Sequence, residues 1–184
     1  PILTNLIHEI DILRFICGDI TSVSAEITHH DQQFEKEDAV AISLKFANQA
    51  VGSFLLSDRT PSPWTWEMAL GENAKFPKTG MNAIRFLGTR GALEFPNLVL
   101  WRHDQDTGDW HHEIRPEVIE TPFIDAYIAQ CEHLCAVARG LEDPIIDALN
   151  GSRSLDATLA AARAATDGTR ITLSQGGDQQ DGLS

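Results

Sequence analysis

Cysteine is scarce, with only Cys17, Cys131 and Cys135 among 184 residues. No second Cys or His pair stands at zinc-ligand spacing, and His133, between Cys131 and Cys135, points away from both on a helix, so no metal site is expected. The thiols read as buried and reduced, the usage of a cytoplasmic protein. Basic residues are also few: 14 Lys and Arg against 27 Asp and Glu give a formal net charge of −13. That surface repels phosphate backbones and anionic headgroups, which argues against nucleic acid and membrane partners, and it reads as a solvated, solubility-promoting shell. No apolar run approaches the ~18 residues of a membrane span, and the N-terminus has no basic flank or small-residue cleavage signal. A glycine-rich phosphate loop is missing too. Gly88, Thr89, Arg90 and Gly91 form a turn between strands and not a strand-to-helix junction, and no GxSxG elbow occurs. Redox chemistry in this chain therefore requires a cofactor site from elsewhere.

What remains is ordinary for a globular domain, with 42% hydrophobic and 22% charged residues. One domain over residues 1–175 is expected, followed by a Gly-, Asp- and Gln-rich tail at 176–184 that lacks an apolar anchor and reads as disordered. Pro1 leads at once into a strongly patterned helix with no preceding methionine, the pattern expected of a chain taken from something longer.

Residues 2–17 place Leu3, Leu6, Ile7, Ile10, Leu13 and Ile16 at helical spacing, with Gly18 as the stop. Residues 20–27, 39–46 and 50–56 alternate as strands, and 47–49 form a hairpin turn. The stretch 29–38 reads as a loop. Trp64–Leu70 reads as a strand after the breakers Thr60, Pro61, Ser62 and Pro63, and 71–80 as an exposed excursion. Residues 83–87, 92–95, 98–103 and 110–114 bring the count to about eight strands. After Pro116 the period changes, predicting helices over 123–139 and 151–166, the second with Leu155, Leu159, Ala162 and Ala165 as its apolar stripe. Tyr127, Gln130 and His133 read as packing residues. The class is α+β, a large, mostly antiparallel sheet with helices on one face. The other face of such a sheet needs a cover, and a homo-oligomer through that face is expected.

Function is most legible on the first helix, where Thr4, Asn5, His8, Asp11 and Ile12 share one face at spacings of three and four. A neutral imidazole can take a proton from an alcohol near pH 7, and a neighbouring amide or carboxylate fixes its tautomer. His8 is thus the candidate base with Asn5 and Thr4 beside it. Asp11 is either a substrate contact or the ion-pair partner of Arg14.

The opening PILTNLIHEIDILRFICGDI resembles the start of the second domain in the glucose-fructose oxidoreductase, inositol dehydrogenase and rhizopine catabolism (Gfo/Idh/MocA) oxidoreductase family. There a helix bears a catalytic His followed by a hydrophobic residue and Asp. SPWTWEMALGEN at 62–73, FLGTRGALEFPNLVLW at 86–101 and PFIDAYIAQCEHLCAVARG with the helix after it are similar as well, so the resemblance runs over nearly the whole chain. It implies a preceding Rossmann domain binding NAD or NADP, and hydride transfer at a secondary alcohol or hemiacetal carbon of a sugar or polyol. His8 falls on the family's catalytic His. Thr4 stands where many members have Asp, which implies a neutral hydrogen-bonding pair with Asn5 in place of an acid-assisted base. The family's catalytic Lys lies in its first domain, so this chain alone is expected to be inactive.

Asp58, Arg59, Trp64, Trp66, Glu67 and Asn73 are the further substrate-contact candidates, with Glu72, Lys75 and Lys78 nearby. Planar aromatics against C–H faces, with amides and charges for hydroxyls, suit a carbohydrate. Two tryptophans two apart on a strand also suit a core or an interface. Two other functions fit the same fold: a noncatalytic sugar-binding or regulatory domain, and an oligomerisation domain.

Overall fold

The computed structural model describes residues 2–29, 36–71, 75–104, 108–122 and 124–174. The central part of the predicted 29–38 loop and the tail 176–184 lie outside them. The chain divides into two compact units, one formed by Pro1–Thr60 with Glu132–Ser184, the other by Pro61–Cys131.

The first unit begins with a π-helical turn, Ile2–Leu6, that runs into α1 (Ile7–Cys17). The sequence predicts one regular helix over this stretch. Its first turn is instead wound wider, a form that occurs as single turns and often at functional sites. Ile2, Leu6, Ile10 and Arg14 recur every four residues as the buried side. Gly18, at φ +89°, ends the helix, its N–H donating to the Arg14 carbonyl at 2.8 Å.

The strands β1 (Ile20–Thr28), β2 (Ala39–Phe46) and β3 (Val51–Ser57) follow as an antiparallel meander. Val23 pairs with Leu44, Ala25 with Ile42 and Ile27 with Val40, so their side chains share one face. On that face they meet Ile2, Leu6 and Ile10, together with the methyls of Ala157, Ala160, Ala161 and Ala164. Those alanines belong to α4 (Ala148–Asp167), which Asp147 caps by accepting the Asn150 N–H. Their spacing of three and four forms a single inward stripe. The core is thus a helical layer, α1 and α4, on one face of a sheet, as the sequence indicates. Thr172 and Ile171 form a two-residue β8 (Ile171–Thr172) beside β1 that the sequence reading misses.

The second unit holds β4 (Ile84–Gly88), β5 (Gly91–Phe95), β6 (Val99–His103) and β7 (Ile114–Val118) as a separate antiparallel sheet. The α+β class holds, but the strands divide into two four-stranded sheets where the sequence suggests one large one. Pro61 and Pro63, which lack an N–H, and the segment after them interrupt the ladder between β3 and β4.

Two further expectations are corrected here. Trp64–Leu70 is not a strand, because Thr65 caps a short helix, α2 (Trp66–Leu70), by accepting the Met68 N–H at 3.3 Å, and Gly71 closes it at φ +71°. The strand expected at 110–114 begins only at Ile114. Asp109 captures the His111 N–H at 2.9 Å and the His112 N–H donates to the Asp109 carbonyl at 3.0 Å, so 109–112 is a turn and Trp110 stands in solvent.

The helix predicted over 123–139 is α3 (Ala126–Ala138), none of whose residues is buried. Cys131 and Cys135 are exposed, contrary to the reading of buried thiols, and only Cys17 is partly covered. Tyr127 and Gln130 are exposed as well and do not pack. His133 does: its Nδ1 donates to Glu142 at 2.8 Å and its Nε2 accepts the Ile145 N–H at 3.2 Å. Among the described residues no helix is long and apolar enough to cross a membrane.

Candidate active site

The predicted residues fall into two groups. Thr4, Asn5, His8, Asp11, Asp58 and Arg59 belong to the first unit, whereas Trp64, Trp66 and Glu67 belong to the second. Asn73 and Glu72 lie outside the described residues.

In the first unit, Thr4, Asn5 and His8 stand exposed along the π turn and the start of α1. His8 makes no hydrogen bond or ion pair among the described residues, so both ring nitrogens are open to a ligand. One turn earlier, Asn5 Nδ2 donates to Asp58 Oδ1 at 3.0 Å. Asp58 follows directly on β3, whose last residue Ser57 pairs with Ala39 in β2. The sheet register therefore delivers a carboxylate to the amide beside His8. Arg59 turns to Asp38, 3.2 Å away at the start of β2. Asp38 is a partner the sequence reading does not single out, since only the pairing of β2 with β3 places it there.

Asp11 is engaged differently from either expectation. It does not meet Arg14 directly; its Oδ1 accepts from Ser154 Oγ of α4 at 2.6 Å. Ser154 in turn accepts from Arg14 Nη1 at 2.7 Å. Arg14 also donates to the Asn150 carbonyl at 2.8 Å and to Asp19 at 2.6 Å, and Arg153 reaches Asp19 at 3.2 Å. This network ties α1 to α4. A groove of about 540 Å³ beside it is lined in part by Arg14, Asp19, Arg153, Asp156 and Arg163, and His8 is not among its lining residues. The sequence signal for Ser154 is its place on the inward stripe of α4, where it and Thr158 are the buried polar exceptions among alanines.

In the second unit, Trp64 is 61% exposed, while Trp66 meets Phe95 edge-on at 4.6 Å between ring centroids. Because the segment is helical, the two rings do not share a strand face. Glu67 is exposed in the first turn of α2. Gly88 and Gly91 flank the β4–β5 turn and face each other in the register, so this turn joins two antiparallel strands and is not the strand-to-helix junction of a dinucleotide phosphate loop. No group of three or more His, Cys, Asp or Glu side chains is placed to hold a metal ion among the described residues.

By class, the fold is an α+β domain whose helices cover one face of an antiparallel sheet and whose leading helix exposes a histidine. The profile of the GFO/IDH/MocA C-terminal domain family matches residues 1–94, and the chain belongs to that family. Solved structures with the same fold include an oxidoreductase from Agrobacterium radiobacter in complex with NAD+, L-tartaric acid and magnesium, at 16% identity and a TM-score of 0.62. That match covers 94% of this chain and 48% of the other. The WlbA dehydrogenase from Bordetella pertussis, in complex with NADH and UDP-GlcNAcA, is 22% identical with a TM-score of 0.60, covering 91% of this chain and 43% of that one. The aldose-aldose oxidoreductase from Caulobacter crescentus, complexed with glycerol, is 18% identical with a TM-score of 0.62, covering 91% and 45%. This chain spans about half the length of these relatives. No curated protein sequence matches it significantly.

Proposed function

We propose that this chain is the substrate-side domain of an NAD(P)-dependent oxidoreductase acting on a sugar, polyol or related secondary alcohol in the cytoplasm. The observation that carries the reading is His8: a histidine exposed on the leading helix of this family's domain, with no partner among the described residues and a hydrogen-bonded Asn5–Asp58 pair one turn away. His8 acts as the base that receives the substrate hydroxyl proton, and Asn5, Thr4 and Asp58 orient neighbouring hydroxyls. Arg59, in the same unit, is a further substrate contact. The dinucleotide is held by a domain this chain does not contain, and the chain alone turns nothing over. Support comes from relatives whose bound molecules are NAD+, NADH and hydroxylated compounds, and which are about twice as long. The outer face of the first sheet, with Val51 and Leu55 exposed at 79% and 75%, serves a homo-oligomer.

A noncatalytic sugar-binding domain is the second reading, favoured by one observation: Thr4 stands where many members of the family have Asp. The test is a dehydrogenase screen of the whole protein over polyols, aldoses and sugar acids with both dinucleotides. His8→Ala is expected to lower turnover by roughly two to four orders of magnitude, the range for a lost general acid or base. Turnover unchanged in that variant removes His8 from the mechanism, and sugar binding without turnover in the wild type selects the second reading.

A further inference from the structure

We propose that Arg14, Ser154 and Asp11 form a positioning relay that sets the direction in which His8 leaves α1, with Ser154 as its pivot; the catalytic significance of this rests on the reading of His8 given above. His8, Asp11 and Arg14 are each three residues apart, and on a helix that spacing turns by about 60° per step. The three side chains accordingly pass from exposed at His8, through half-buried at Asp11, to buried at Arg14. Only the last two touch another element, and both do so through the same hydroxyl.

That hydroxyl is directional. A guanidinium has no lone pair to offer, so Ser154 Oγ accepts from Arg14 and its single proton goes to the Asp11 carboxylate, a bond of 2.6 Å. Both bonds are charge-assisted and Ser154 is 2% exposed, so water does not substitute for either. Beyond these bonds and the one from Arg14 to the Asn150 carbonyl, the α1–α4 contact is apolar, with small alanine methyls on the α4 side, and dispersion contacts of that kind tolerate rotation and sliding far better than a short hydrogen bond does. Of these cross-helix hydrogen bonds, the Asp11–Ser154 bond lies one turn from His8. It holds the azimuth of the turn that carries the imidazole. Asp11 is thereby assigned to positioning and removed from the substrate contacts.

The test is NMR of the full chain with ring-labelled histidine, the His8 peak being assigned by its loss in H8A. S154A removes the pivot without changing any charge, so the His8 peak is expected to move and broaden while those of the remaining histidines stay in place. N48A, which deletes an exposed bond from Asn48 to the Cys17 carbonyl at the far end of α1, is expected to leave His8 unmoved. S154C, a near-isosteric variant whose thiol is a weak donor, is expected to act in the same direction as S154A and serves if the alanine variant does not fold. In the whole protein, S154A is expected to lower kcat on the order of tenfold to a hundredfold with KM nearly unchanged, the signature of a misplaced reacting group. A His8 peak that stays in place in well-folded S154A or S154C overturns the relay. A peak that moves while kcat is retained supports the relay and refutes the catalytic reading of His8, so the two failures are distinguishable.

Discussion

Arg14→Met is the perturbation that most directly tests how the first unit is held together. Arg14 is 8% exposed, and its guanidinium makes three hydrogen bonds, to Asn150, Ser154 and Asp19, at 2.6–2.8 Å. Hydrogen bonds to charged groups contribute about 1.5–3 kcal/mol each, but three bonds from one group share their cost and do not add. Removing one partner of a buried ion pair costs about 3–5 kcal/mol when the other charge is left stranded. Here Asp19 keeps Arg153 and its side chain is 30% exposed, so it is not stranded. Methionine also retains most of the apolar stem. The expected loss is therefore about 2–4 kcal/mol, or roughly 5–15 °C in Tm for a domain of this size. Urea unfolding followed by circular dichroism at neutral pH measures it, with Arg59→Met as comparison. The Arg59–Asp38 pair involves a half-exposed guanidinium, and its loss is expected to cost less than about 1 kcal/mol. Arg14→Met costing no more than Arg59→Met would refute the argument that burial makes the difference.

Other outcomes follow from features of each unit. Burial pushes the Cys17 thiol up, whereas Cys131 and Cys135 are exposed, so brief alkylation at mildly alkaline pH is expected to modify the latter two first, as read by peptide mass spectrometry. The His111 N–H, and then His112, hold the Asp109 carboxyl below its ordinary range. A depressed carboxylate stabilises the fold above its unfolded pKa of about 3.9 and loses that contribution as pH falls through the folded value. The 109–112 turn is thus expected to loosen only in acid below about pH 4, seen as faster amide exchange at His111. Thr65→Ala removes the cap of α2 and is expected to cost about 1 kcal/mol in urea unfolding, with a change in the fluorescence of Trp66 against Phe95. A tryptophan signal identical to wild type would mean that the cap does not fix that helix.

The elements with one apolar face were legible in the sequence because a single period described them. β1, β2 and β3 bury the residues their alternation marks. The two helices keep the expected period but turn a different face inward: Leu3, Ile16, Leu155 and Leu159 stand exposed, while Ile2 and Arg14 on one helix and Ala157, Ala160, Ala161 and Ala164 on the other are buried. Where two signals competed, pattern alone misled. Trp64, Trp66, Met68 and Leu70 alternate as a strand does, yet one hydroxyl at Thr65 satisfied the helix start and decided the matter. The stretch from Trp110 to Ile114 reads as a strand candidate too, but Asp109 took the backbone N–H groups a ladder would have used. β8 is too short to carry any period. The site shows the same division. His8 and Asn5 stood out as polar residues on an apolar helix, whereas Asp58 and Asp38 needed the β2–β3 register, and Ser154 lies in a segment more than a hundred residues away from the side chains it joins.

The alanine stripe of α4 has a consequence for how this domain can vary. With Ala157, Ala160, Ala161 and Ala164 at most 1% exposed, single methyl groups set the gap between helix and sheet. A bulkier residue at any of them would act as a wedge, lifting the helix off its floor. Because α1 leans on that helix through Ser154, the wedge would tilt the imidazole as well, so sequence change in this layer is confined to the solvent side if the histidine is to keep its aim.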